Sequence, residues 1–133
     1  MSPGEVIVEL ENPQPVYYPG DVLSARYRLV AEEPCDVRAI EASLLWFTEG
    51  KGDEDLGVHF FEKVELPEVE RRDCAKPRRL TATMPRSPLS YDGFLIKIVW
   101  CVRVRMLLES GKELVGEAPF LLGEVRRGQE VES

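Results

Sequence analysis

Apolar and polar residues alternate along most of the chain, and the alternation has a period of two. Val6, Val8 and Leu10 share one side of a short segment whose other side carries Glu5, Ile7 and Glu9, which predicts an edge strand. Asn12-Pro13-Gln14-Pro15 ends it, because proline donates no backbone hydrogen bond to a ladder. Tyr17-Tyr18-Pro19-Gly20-Asp21 then predicts a tight turn, with proline fixing φ and glycine free to take positive φ. Val22 to Ala31 follows, with Leu23, Ala25, Tyr27 and Leu29 opposed to Ser24, Arg26 and Arg28. Ala39 to Phe47 places Ile40, Ala42, Leu44 and Trp46 on one face, and an acidic, glycine-containing loop over 49–55 comes next. Leu56, Val58, Phe60, Glu62, Val64 and Leu66 read as one face of the following strand, against His59, Phe61, Lys63 and Glu65.

A polar stretch over 67–77 reads as a loop, and Arg78 to Met84 resumes the alternation with Leu80, Ala82 and Met84. The run from Pro85 to Leu108 is the most informative part of the chain. A turn dense in proline, serine and glycine feeds a long strand whose inner face is Ile96, Ile98, Trp100, Val102, Val104, Met106 and Leu108. A turn at Glu109-Ser110-Gly111-Lys112 and an alternating segment over 113–122 complete a β-hairpin. Seven strands with polar connections and almost no amphipathic helix predict an all-β chain, an immunoglobulin-like sandwich of two antiparallel sheets. Trp100 is expected to pack with Ile98 and Val102 against Trp46 and Phe60. Residues 1–122 form one domain on this reading, and 123–133 is a polar, flexible tail with too little apolar material to pack.

Composition sharpens the functional side. A chain of 133 residues is long enough to bury a core without metals or disulfides. With 17 Lys plus Arg against 24 Asp plus Glu, the formal charge of −7 disfavours a nucleic-acid binder. No apolar run is long enough to span a bilayer, and no signal peptide precedes the first strand. Cys35, Cys74 and Cys101 lack ligand-like spacing and read as free thiols in a cytoplasmic protein, with a disulfide between two of them as the alternative in an exported one.

Several segments resemble the amino-terminal domain of arrestins. They are Tyr17-Tyr18-Pro19-Gly20-Asp21, the strand from Ile40 to Trp46, Met84 to Gly93 with its Pro85-Arg86-Ser87-Pro88-Leu89-Ser90-Tyr91 core, and Ile96 to Val104. They stand in the family's order and span about residues 5–122. The resemblance implies an arrestin-type sandwich, akin also to arrestin-related retromer subunits and to bacterial sporulation-control proteins. It further implies an adaptor, scaffold or trafficking module, without cofactor or catalysis. Arrestins pair two such sandwiches, so their interdomain switch is not expected from the single one here.

Two groups of cations are candidates for partner binding. Arg71, Arg72, Lys76, Arg78, Arg79 and Arg86 cluster with only Asp73 as an acid between them, and would suit an acidic or phosphorylated segment. Lys97, Arg103 and Arg105 lie on the face of the long strand opposite Trp100. They either meet a partner or pair with Glu on neighbouring strands. His59, the single histidine, lies in no ligand or base constellation, and Ser87 and Ser90 sit in a turn without a nucleophile elbow. Catalytic, metal and cofactor residues are therefore expected to be absent. The expected function is non-enzymatic protein binding, through a sheet surface, an edge strand or the basic loop; a self-assembling subunit is the alternative. Peripheral membrane association is left open by the sequence.

Overall fold

A computed structural model describes residues 4–52, 54–72, 76–93 and 95–123. The strands are β1 (Glu5–Leu10), β2 (Val22–Val30), β3 (Val37–Gly50), β4 (Leu56–Glu65), β5 (Arg78–Thr83), β6 (Tyr91–Asp92), β7 (Ile96–Leu108) and β8 (Glu113–Phe120). They form two antiparallel sheets. One has the order β1-β2-β5; the other has the order β4-β3-β7, with β6 and β8 sharing the far side of β7. The all-β sandwich expected from the alternation is what the chain adopts.

The core lies where the inner faces meet. Leu23, Ala25, Tyr27 and Leu29 of β2 face Ile40, Ala42 and Leu44 of β3 and Trp100, Val102, Val104 and Met106 of β7, all buried. Trp46 stands opposite Trp100 in the β3–β7 register, and both belong with Phe60 to this cluster, as expected. The hairpin of β7 and β8 is present with the predicted turn, Gly111 taking a φ of 93°.

The Tyr17–Asp21 segment folds as the composition requires. Gly20 takes a φ of 89° after Pro19, and the Asp21 N–H donates to the Tyr18 carbonyl at 2.9 Å, a type II turn. The Tyr18 N–H in return donates to the Asp21 carboxylate at 3.0 Å. Tyr17 is fully buried and its hydroxyl donates to the Asn12 carbonyl at 2.7 Å.

Two features depart from the sequence reading. The single face expected for Leu56 to Leu66 is broken by a bulge: Leu44 pairs with Phe60 and Leu45 with Val58, so His59 has no opposite residue. One extra residue swaps the parity of everything before it. Phe60, Val64 and Leu66 therefore point inward, while Leu56 and Val58 turn out to solvent. Tyr91–Asp92, read as part of a turn, pairs with Ile98 and Lys97 as the short strand β6. The cis Ser87–Pro88 bond lies just before it, and the Ser90 hydroxyl accepts the Leu122 N–H at 2.8 Å.

The two flanks of the sandwich differ. On one, β1 lies directly against β8, and a Cβ at Gly116 would collide with the Val6 carbonyl oxygen. On the other, β4 and β5 stand apart, joined by a hydrogen bond of 2.9 Å between His59 Nε2 and the Thr83 carbonyl. Of the tail expected over 123–133, residues 124–133 lie outside the described residues, as do Asp73 and Cys74.

Candidate partner-binding face

The nine candidate cations do not form one patch. Arg79 stands on the outer face of the three-stranded sheet, where its guanidinium grips the Glu11 carboxylate in a bidentate pair at 2.6 and 3.0 Å. That pair, with the Ser24 hydroxyl, holds Glu11 below the usual carboxylate range and raises Arg79 above its ordinary value. Arg78 lies 3.9 Å from Glu70. Arg71 reaches Glu109 at 3.3 Å and donates to the Leu66 carbonyl at 3.2 Å. Arg72, Lys76 and Arg86 are exposed and make no ion pair among the described residues.

Lys97, Arg103 and Arg105 lie on the opposite side of the molecule, on the outer face of the five-stranded sheet, and each meets an acid on a neighbouring strand. Lys97 is 3.7 Å from Asp92 on β6, and Arg103 pairs with Glu117 on β8. Arg105 bridges Glu113 on β8 at 2.6 Å and Glu41 on β3 at 2.8 Å, and the hydrogen bond to Glu113 raises its pKa further. Lys63 on β4 completes the row, 4.0 Å from Glu41. These are cross-strand pairs of the kind that link neighbours in a sheet.

Beside the charged rows, the same face carries an apolar band that the alternation did not reveal. The register aligns Val58, Leu45, Cys101 and Pro119 across β4, β3, β7 and β8, and next to them Leu56, Phe47 and Val99. Leu56, Val58 and Phe61 are 56%, 52% and 55% exposed, and Leu121 beyond the end of β8 is 55% exposed. The bulge at His59 is what brings Leu56 and Val58 onto this face. At the other lateral end, where β8 leaves β7 and β6 takes its place, a groove of about 580 Å³ opens between Val16, Tyr91, Ile98, Val99, Pro119 and Leu121. Arg103 borders the band with its guanidinium carbon 6.0 Å from the centre of the Phe47 ring.

The chemistry of this face is that of contact. Cys101 is buried under the band, and burial pushes its thiol up to about 11, so it is no ready nucleophile near neutral pH. His59 is engaged with Thr83 and stands edge-on to Trp100, the ring centroids 6.3 Å apart. Among the described residues no three His, Cys, Asp or Glu side chains converge as a metal site. No helix among them is long and apolar enough to cross a membrane.

No protein-family model matches the chain, and no curated protein matches it. Among solved structures it is similar to Spo0M, the sporulation control protein of Bacillus subtilis, with a TM-score of 0.64 over 95% of this chain and 13% identity. This is an arrestin-type β-sandwich. At that identity the likeness establishes the fold alone, and the arrestin-type sandwich seen here corresponds to 51% of the Spo0M chain, about half its length.

Proposed function

We propose that this arrestin-type sandwich is a non-enzymatic binding module, an adaptor or scaffold that holds another protein chain on the outer face of its five-stranded sheet. The observation that carries the reading is the outer side of β4, where Leu56, Val58 and Phe61 are each more than half exposed, with Leu121 exposed beyond the end of β8 and paired charges on the strands between. Exposed apolar side chains beside paired charges are the combination from which protein interfaces are built. The likeness to a sporulation control protein agrees with a regulatory rather than a metabolic role.

Affinity capture with two baits tests this: the parent protein and a Val58→Glu/Leu121→Glu variant shown to be folded by circular dichroism. A reproducible partner held by the parent and lost from the variant is the expected outcome. A partner held equally by both rejects this face, and turnover of a defined substrate that is lost on mutation without unfolding rejects the non-enzymatic reading. A second surface is favoured by Arg72, Lys76 and Arg86, which make no ion pair among the described residues and offer an acidic or phosphorylated segment charge-assisted hydrogen bonds. Capture that depends on these three and not on Val58 would move the site there.

A further inference from the structure

We infer that the chain held on this face joins it as a strand: an extended, apolar segment of a partner protein with a basic residue at each end, paired along the free edge of β4. The inference rests on the reading of this face as a binding surface and names the mode of binding and the chemistry of the partner.

The backbone supplies the first argument. β4 is the last strand of its sheet, with β3 on one side and no strand on the other among the described residues. Two bonds fix the phase of the β3–β4 ladder: the Leu66 N–H donates to the Arg38 carbonyl at 2.9 Å, and the Thr48 N–H to the Asp55 carbonyl at 3.0 Å. Hydrogen-bonding residues alternate along an antiparallel strand. The N–H and C=O groups of Gly57, Phe60, Glu62 and Val64 therefore point to β3, and those of Leu56, Val58, Phe61, Lys63 and Glu65 point away from it. Such an edge is a ready template for a further strand.

Side chains select this edge over that of β5, which is also free. The outward residues of β5 are the polar Arg79, Thr81 and Thr83, with Arg79 held by Glu11, and Pro77 and Pro85 close the strand at either end. On β4 the outward positions carry Leu56, Val58 and Phe61, each more than half exposed. An added strand sets its outward side chains beside these three, at cross-strand distance. Its inward side chains fall over the groove of about 680 Å³ between β4 and β5, which Phe60, Ala82 and Met84 help to line. Both faces of the incoming segment thus meet apolar side chains.

Charge selects its ends. Glu54 and Asp55 stand exposed just before Leu56, and Glu65 and Glu68 just after Val64, and none of the four has an ion-pair partner among the described residues. Lys63, the cation between them, lies 4.0 Å from Glu41 on β3. A segment with lysine or arginine at each end answers these acids, whereas an acidic segment is repelled at both.

The probe is a phage-displayed library of random segments of about twelve residues, long enough to span the edge, panned on the full chain. The most enriched sequence is then synthesised as a peptide. Alternating apolar residues closed at both ends by Lys or Arg are expected. With that peptide bound, amide exchange read by NMR should show new protection at the Val58, Phe61, Lys63 and Glu65 N–H groups, while Glu62 and Val64, already bonded to β3, change little. Lys63→Pro removes one outward donor and no rung to β3, and should weaken the peptide about 10-fold, with Lys63→Ala as the control that leaves it nearly unchanged. Circular dichroism checks folding, and the exchange pattern carries the test if Lys63→Pro does not fold. The Glu54→Lys/Glu65→Lys variant should also bind the peptide less tightly than the parent, most of all at low salt. A library without enrichment, enrichment of acidic segments, protection at Thr81 and Thr83 in place of β4, or a peptide indifferent to Lys63→Pro overturns the inference. So does protection of the outward β4 amides in the free protein that fades on dilution, which makes a second copy the occupant. A captured partner lost from the Val58→Glu/Leu121→Glu bait but held by a Lys63→Pro bait leaves the binding face standing and removes strand addition. Capture indifferent to both variants removes both.

Discussion

Trp100 shows how much a single side chain does here. Its ring is fully buried, lies 5.8 Å from the Phe120 ring and stands edge-on to His59, while its Nε1–H donates to the Pro88 carbonyl at 2.7 Å. Trp100→Ala removes a large ring from the middle of the core and should cost about 3–5 kcal/mol of stability. Trp100→Phe should recover much of that loss while leaving the Pro88 carbonyl without its donor. Urea denaturation of both variants checks this, and a Trp100→Ala protein within about 1 kcal/mol of the parent would contradict the central placement of the ring. The alternation placed Trp100 inside, but it held no sign of the Pro88 bond, which depends on a peptide twelve residues upstream folding back over the ring. Cys101, its neighbour on the other face, gives a pH dependence. Its thiol titrates at about 11 in the fold against 9.0 as the ordinary value, chiefly because burial disfavours the thiolate. The unfolded chain therefore releases this proton first, so the contribution is complete below about pH 9 and is lost as pH rises through about 11. Stability measured from pH 8 to 11 should fall for the parent and fall less steeply for Cys101→Ala.

At the scale of elements, the long periodic strands and the β7–β8 hairpin were legible, because their apolar residues repeat on one face and glycine marks their turn. β4 was legible as a strand and misread in parity. A bulge leaves no mark in the hydrophobic pattern when both faces carry apolar residues, and Leu56, Val58, Phe60 and Phe61 supply both. β6 was hidden by the proline, serine and glycine around it, which signal a turn whether or not two residues pair on the way. Gly116 was read only as a member of an alternating strand, yet it is where β1 closes against β8. Gly116→Ala sets a methyl group against the Val6 carbonyl oxygen and Cγ1, and the two strands must part to admit it. The expected cost is about 1–3 kcal/mol. Hydrogen exchange should locate the loosening in β1 and β8 while the β3–β7 pairing stays protected.

For the molecule as a whole, the charges are arranged pair by pair. Arg71, Arg78 and Arg79 of the basic stretch each meet a glutamate from elsewhere in the sequence, as do Arg103 and Arg105. Runs of cations in the sequence were visible, but their neutralisation depends on strand order, which no local pattern carries. The apolar face was illegible for the same reason: it exists only when β4, β3, β7 and β8 lie in register with the bulge in place. The unequal flanks have a further consequence, for how far copies of this chain add to one another by strand pairing. Growth of a ribbon needs two free borders per molecule, one to receive and one to offer. Here β1 and β8 cover each other, and among the described residues the borders left free are β4 and β5 on one side and the two-residue β6 on the other. Two residues at β6 are too few to template a further strand, so a chain that joins at β4 or β5 leaves no place of comparable length for the next, and edge-to-edge addition stops at two molecules rather than running on into a fibre.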